Sequence, residues 1–302
     1  MHPLVAIVGA TATGKSALAL DVAERLGGEI VGADASQLYR GMDIGTAKLP
    51  IEERRGVAHH QIDVLDIHED ASVAAYQQEA RADIEAIYAR GRVPVLVGGS
   101  GLYVRAALDH LEIPPTDAAV RTALEAKAEQ VGTPAMLARL RGVDPVAAEA
   151  IEPNNRRRIV RALEVIELTG RPFSATMPRR EYLRPTVTLG LTLDRGVLDK
   201  RIGARTRGMW RDGLIEEVTA LETRGLSGTR TASRAVGYRE ALAQITGRMS
   251  EDDAIEATTT ATRRLVRRQE SWFRPDPRIA WLSADHPQLL DEALTCIETA
   301  HA

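Results

Sequence analysis

Residues 9–16 read Gly9-Ala10-Thr11-Ala12-Thr13-Gly14-Lys15-Ser16, a G-x-x-x-x-G-K-[ST] run whose setting constrains this chain more than any other feature. An apolar run, Leu4 to Val8, of the right length for a buried strand leads into it, and a helical pattern, Ala17 to Leu26, leads out. That context is what a phosphate-binding loop requires. The glycines allow positive φ, backbone N–H groups converge on phosphate oxygens, and the helix N-terminus adds partial positive charge. Lys15 is expected to neutralise phosphate charge and Ser16 to hold a magnesium ion. The loop predicts a di- or triphosphate ligand, ATP among the possibilities, without selecting one.

With 302 residues the chain can bury a full α/β core and carry a second subdomain. No apolar stretch approaches the roughly 20 residues needed to span a bilayer, so no membrane role is expected. Met1-His2-Pro3 runs into the first strand without a basic leader, and Cys296 stands alone, which excludes an internal disulfide and a cysteine-based zinc site. Both fit a reducing cytoplasm. The net charge of −3 conceals local imbalance. Arg156, Arg157, Arg158, Arg161, Arg171, Arg179, Arg180 and Arg184 cluster between 154 and 184, and Arg263, Arg264, Arg267, Arg268 and Arg274 form a second run. Two basic clusters in a mildly acidic chain suggest a localised polyanion surface.

Strand, loop and helix alternate through the first hundred residues. Glu29–Ala33 reads as a second strand ending at Asp34, Gln61–Asp66 as a further short one, Ser72 as the cap of a helix to Arg90, and Val93–Val97 as a buried strand. This predicts an α/β fold of the P-loop NTPase type: a doubly wound parallel sheet with ligands at the strands' C-terminal ends, where Gly9, Asp34 and Gly98 fall. From 116 to about 169 the periodicity is purely helical, broken at Gly132-Thr133-Pro134 and Asp144-Pro145. The expected division is therefore a core of 1–115 and 185–302 and an inserted all-helical domain of 116–184. Thr186–Leu193 returns to the sheet, and a last strand is expected near Arg278–Leu282. In the long helix before it, Ile255, Thr258, Thr262, Leu265, Val266, Gln269 and Trp272 share one face, which reads as packed scaffold, Trp272 included, with the arginines outward.

Many P-loop kinases end a buried strand in an Asp that holds the magnesium shell; here that strand ends Val97-Gly98-Gly99-Ser100. The carboxylates at strand ends are Asp34, Asp63 and Asp66, and Asp34 can orient or deprotonate an incoming nucleophile. His59 and His60 lack a third ligand and read as loop packing.

The segment Asp34-Ala35-Ser36-Gln37-Leu38-Tyr39-Arg40-Gly41-Met42-Asp43-Ile44-Gly45-Thr46-Ala47-Lys48 resembles the signature that follows the P-loop in the tRNA dimethylallyltransferase family. In the same order, His59-His60-Gln61-Ile62-Asp63, Gly98-Gly99-Ser100-Gly101-Leu102-Tyr103, Arg161-Ala162-Leu163-Glu164-Val165, Val236-Gly237-Tyr238-Arg239 and Arg267-Arg268-Gln269-Glu270-Ser271-Trp272-Phe273-Arg274 are similar to further motifs of that family. The likeness spans about residues 4–283 and is to the short bacterial form, which lacks a Cys/His zinc-finger extension.

The resemblance implies transfer of a dimethylallyl group from dimethylallyl diphosphate to N6 of adenosine 37, next to the tRNA anticodon, by a monomeric cytoplasmic enzyme. Diphosphate is then a leaving group, stabilised by Lys15, Ser16 and magnesium, and no side-chain nucleophile is needed. Asp34 would take the N6 proton, and Arg234 matches the position expected to contact the diphosphate. The adenosine must leave the anticodon-loop stack, with Asp34, Ala35, Ser36 and Gln37 receiving it. Further tRNA contacts are implied at Ser100, Arg121, Arg157, Arg158, Arg161, Arg234, Gly237 and Arg239. Arg157 and Arg161 lie one helical turn apart, opposite the apolar stripe of Ile159, Leu163 and Ile166. The alternatives are a P-loop kinase using ATP, an isopentenyltransferase acting on free AMP or ATP, and a non-catalytic RNA-binding module, which leaves the P-loop and Asp34 without a task.

Overall fold

Six strands pair in the order β3-β2-β4-β1-β5-β6, every pair parallel, in a computed structural model that describes residues 2–176 and 180–300. They are β1 (Leu4–Gly9), β2 (Glu29–Gly32), β3 (His59–His60), β4 (Pro94–Gly98), β5 (Thr186–Thr192) and β6 (Ile279–Ser283). The helices are α1 (Lys15–Leu26), α2 (Val73–Ala89), α3 (Gly101–Leu108), α4 (Ala118–Val131), α5 (Thr133–Val143), α6 (Pro145–Ala150), α7 (Arg156–Thr169), α8 (Arg195–Arg211), α9 (Leu214–Glu222), α10 (Tyr238–Ile245), α11 (Glu251–Phe273) and α12 (Leu289–Thr299). The fold is thus the P-loop-like, doubly wound α/β arrangement that the alternation predicts. Every residue of β1 is buried, as a central parallel strand covered on both faces requires.

Two compact units divide the chain, residues 1–108 with 182–302 and residues 109–181. These bounds differ from the expected 116–184 because the connecting segments lack helical periodicity. The change falls between two backbone hydrogen bonds, Leu183 N–H to the Leu108 carbonyl and His110 N–H to the Glu181 carbonyl. In the first unit, Leu18, Ala19, Val22 and Ala23 of α1 pack with Val5, Ile7, Leu189 and Leu191 of the sheet and Ala293 and Ile297 of α12. A separate helical core, with Tyr39, Met42, Trp210, Leu214, Val218, Tyr238 and Ala254, supports the loop after β2. The second unit is a four-helix cluster, α4 to α7, around Leu124, Met136, Leu140, Ala147, Ile159 and Leu163.

The segment 61–66 does not form the expected strand. Gln61 and Asp63 adopt φ of 58° each, which ends the extended run at His60, and Leu65 makes only an isolated bridge to Tyr39. Ser72 caps α2, its hydroxyl accepting from the Ala75 N–H. Among the described residues, no helix is long and apolar enough to cross a membrane.

Candidate active site

The loop from β1 to α1 is held from within and from α11. Gly9 and Gly14 have φ of 135° and 94°, and Ala12 is left-handed at 64°, a conformation an alanine keeps only where its neighbours are pinned. The pins are hydrogen bonds: Thr11 N–H to Gln269 Oε1 at 2.8 Å, Thr13 Oγ1 to the Ala10 carbonyl at 2.9 Å, and Lys15 Nζ to the same carbonyl at 2.5 Å. Gly14 is the N-cap of α1 and has no side chain to cap it, so the first-turn amides are free to receive an anion. Arg205, on α8, donates to Thr11 Oγ1 at 3.1 Å and brings a second cation to the loop. Burial pushes the Lys15 ammonium down to about 8; the Asp34 carboxylate opposes that shift and the Arg205 charge adds to it. Burial likewise lowers Arg205, again opposed by Asp34.

Residues 34–48 form a strap across the C-terminal edge of the sheet. Asp34 Oδ1 accepts from Ser36 N–H at 2.9 Å, an Asx turn that orients its carboxylate, and Ser100 Oγ accepts from Ala35 N–H at 3.4 Å. Gln37 Nε2 donates to the Thr46 carbonyl at 3.1 Å. Two charged groups close the strap. The Lys48 ammonium, 3% exposed, bonds the Tyr39 carbonyl at 2.5 Å, Asp43 Oδ1 at 2.8 Å and Asp63 Oδ1 at 2.5 Å. The Glu217 carboxylate, from α9, accepts from the N–H groups of Asp43, Ile44 and Gly45 and from the Tyr238 hydroxyl at 2.5 Å. Hydrogen bonds to charged groups contribute more than neutral ones, so a segment without regular structure is held in one shape.

Two cavities open on this edge. One, of about 300 Å³, is walled by Gly14, Lys15, Ser16, Gln37, Gly99 and Arg201. The other, about 270 Å³, is lined by Ala35, Ser36, Ser100 and Arg234 together with the apolar Ile202, Met209, Val236 and Leu265. Thr11, Ala12, Asp34, Thr46, Arg205 and Gln269 line both. Asp34 therefore stands between a cationic anion site and a mixed polar and apolar chamber. A carboxylate so placed can take a proton from a nucleophile in one chamber while an anionic group departs in the other.

The two cavities gather Asp34, Ala35, Ser36, Gln37, Ser100 and, of the P-loop, Thr11, Ala12, Gly14, Lys15 and Ser16, whereas Gly9, Ala10 and Thr13 line a separate cavity with Leu191, Leu198 and Phe273. Arg234 lines the second cavity and not the P-loop one, where Arg201 and Arg205 stand instead. Gly237, φ 94°, starts α10, and Arg239 is paired with Glu240. In the helical unit, Arg157 and Arg158 are exposed and make no side-chain bond among the described residues. Arg121 and Arg161 both bind Glu164, which is fully buried, at 2.8 and 3.0 Å, and Arg161 also donates to the Pro114 and Pro115 carbonyls. Burial alone would raise the Glu164 carboxyl; the Arg121 guanidinium, the Asp117 N–H and Arg161 overcome it and hold the group below its ordinary value. Arg179 lies outside the described residues.

Sequence reasoning misses Arg201, Arg205, Gln269 and Glu217 as site residues. The only signal for the arginines is their spacing of one helical turn directly after β5, and Gln269 is hidden within an apparent packing stripe. Trp272 departs from the packed reading, being 44% exposed. His59 and His60 are structural: His59 Nδ1 bonds the Val57 carbonyl, and His60 Nε2 meets Glu29 at 2.7 Å.

Residues 37–276 match the family model described as IPP transferase. A tRNA dimethylallyltransferase of a Nocardioides species is 56% identical over 296 residues, covering 98% of this chain and 96% of its own. A crystal structure of a tRNA isopentenylpyrophosphate transferase from Bacillus halodurans aligns with a TM-score of 0.72 at 39% identity, covering 100% of this chain and 98% of that one. A eukaryotic dimethylallyltransferase crystallised while acting on tRNA aligns with a TM-score of 0.82 at 26% identity, covering 98% of this chain and 77% of that one.

Proposed function

The chain belongs to the IPP transferase family, and from that premise we propose that it transfers a dimethylallyl group from dimethylallyl diphosphate to N6 of adenosine 37 in tRNA. The N6–C1 bond forms, the C1–O bond of the donor breaks, diphosphate departs, and the N6 proton passes to Asp34. The observation that carries this reading is the position of Asp34 in the wall common to both cavities.

In this reading the diphosphate occupies the P-loop cavity, where the α1 amides, Lys15 and Arg205 offset the charge that grows as C1–O breaks. The dimethylallyl carbons and the extruded adenine share the chamber walled by Ile202, Met209, Val236 and Leu265. Asp34, oriented by the Ser36 amide, accepts the N6 hydrogen bond and then the proton. Magnesium fits the donors present: the Ser16 hydroxyl is an exposed hard oxygen on the P-loop cavity and makes no other side-chain hydrogen bond among the described residues. When bound there, the ion would neutralise diphosphate charge. The exposed Arg157 and Arg158 supply phosphate contacts for the tRNA, and a monomer in the cytoplasm is part of the same proposal.

Incubation with labelled dimethylallyl diphosphate, magnesium and unmodified tRNA, followed by nucleoside analysis, tests the reading. N6-(dimethylallyl)adenosine is expected; label transfer to free AMP in place of tRNA, or phosphoryl transfer from ATP, would reject it. If ATP enters the P-loop, it does so as a competitor of the donor and raises only the donor KM.

A further inference from the structure

We infer that Trp272 is a stacking platform for an unpaired nucleobase of the RNA acceptor, next to the base that enters the site. The inference rests on the tRNA reading above. Thr258, Thr262, Leu265, Gln269 and Trp272 recur at spacings of four and three, one continuous stripe on α11. The first four line the 270 Å³ cavity. Trp272 is the next position along the stripe, and the residue is 44% exposed. It is therefore the member of the stripe that reaches the surface at the rim of the chamber.

The neighbouring chain is built to seat the ring there. A Cβ at Gly101 would lie 2.8 Å from Trp272 Cβ and Cγ and 2.9 Å from Cδ2, so only glycine lets the indole rest against the start of α3. The preceding residue, Ser100, lines the cavity and accepts the Ala35 N–H. The indole is thus anchored on one side and open on the other, one residue from a cavity wall.

The surroundings identify the occupant. Arg264, Arg267 and Arg268 are exposed and make no ion pair or side-chain hydrogen bond among the described residues. Arg268 precedes Trp272 by one helical turn, and an open aromatic ring with an unpaired guanidinium on the neighbouring turn suits single-stranded nucleic acid, whose bases stack on the ring while phosphates meet the cation. Besides Trp272, Leu102 is 40% exposed, and Trp281, which shares a cavity with Glu270, Phe273 and Arg274 of the α11 end, is 38% exposed; these separate side chains offer too little apolar surface for a protein partner. A base extruded from an anticodon loop leaves its neighbours unstacked, and an indole at the rim replaces the lost stack.

The test uses an anticodon stem-loop RNA carrying 2-aminopurine on either side of the acceptor adenosine. Trp272→Leu keeps apolar packing on Gly101 but removes the π face, and Trp272→Phe restores a smaller ring. The expected result for Trp272→Leu is an acceptor KM raised about 10- to 100-fold, an unchanged donor KM and loss of 2-aminopurine quenching, with much of each recovered in Trp272→Phe. An unchanged acceptor KM in Trp272→Leu, or Phe and Leu variants equally impaired, would overturn the assignment in favour of a packing role. A parent enzyme that binds the stem-loop but leaves its adenosine unmodified would reject the transferase reading. In that case quenching by Trp272, present or absent, still decides the platform.

Discussion

The Oε1 atom of Gln269 accepts the Thr11 N–H at 2.8 Å across 258 residues of sequence, joining the C-terminal half of α11 to the first turn of the P-loop. This bond fixes the peptide beside left-handed Ala12, so the loop's shape depends on a side chain that lines both cavities. Gln269→Met keeps the volume and removes the acceptor. It should lower stability by about 1 kcal/mol, the net contribution of one hydrogen bond whose part-buried donor faces a cavity. The donor KM should rise with the acceptor KM little changed; thermal melting and steady-state kinetics with each substrate varied in turn check both.

Lys15 makes donor capture sensitive to alkaline pH. Its ammonium is pushed down to about 8, so it is charged below that pH and neutral above it. The donor kcat/KM should therefore fall as pH rises through about 8, the reverse of a carboxylate limb. Lys15→Met should be weaker throughout and lack this limb. A pH profile of donor kcat/KM for both proteins is the measurement.

Asp34→Ala should cut kcat by roughly 100- to 10,000-fold, the usual range for a lost general base, with tRNA still bound. Single-turnover product formation alongside a filter-binding Kd separates the two effects. Near-parental turnover would remove Asp34 from the proton-transfer role.

The arginines of the helical unit should divide into two classes. Arg157→Ala with Arg158→Ala should weaken tRNA binding and reduce the slope of log K against log salt by roughly 0.7 to 0.9 per arginine, without loss of stability. Arg121→Ala should instead lower stability by about 3 kcal/mol. That is the low end for breaking a buried pair, because Arg161 and the Asp117 N–H remain on Glu164. Salt-dependent binding and melting curves on the same two proteins test the division.

The local pattern of the chain determined a good deal. The P-loop, its flanking strand and helix, the α/β alternation and the helical insertion are short-range signals, because apolar periodicity and glycine placement act over a few residues. Asp34 was legible for the same reason, standing at a strand end in a distinctive segment. Tertiary structure alone decided which cations reach the phosphate loop and which are spent elsewhere. Arg205 and Gln269 arrive from helices 194 and 258 residues away in sequence, whereas Arg121 and Arg161 turn inward to Glu164. It also decided that Trp272 ends a packing stripe in the open, since a helical face shows which residues align and not where the neighbouring element stops. Charge pairing and exposure depend on contacts between distant segments, and a one-dimensional pattern carries no record of them.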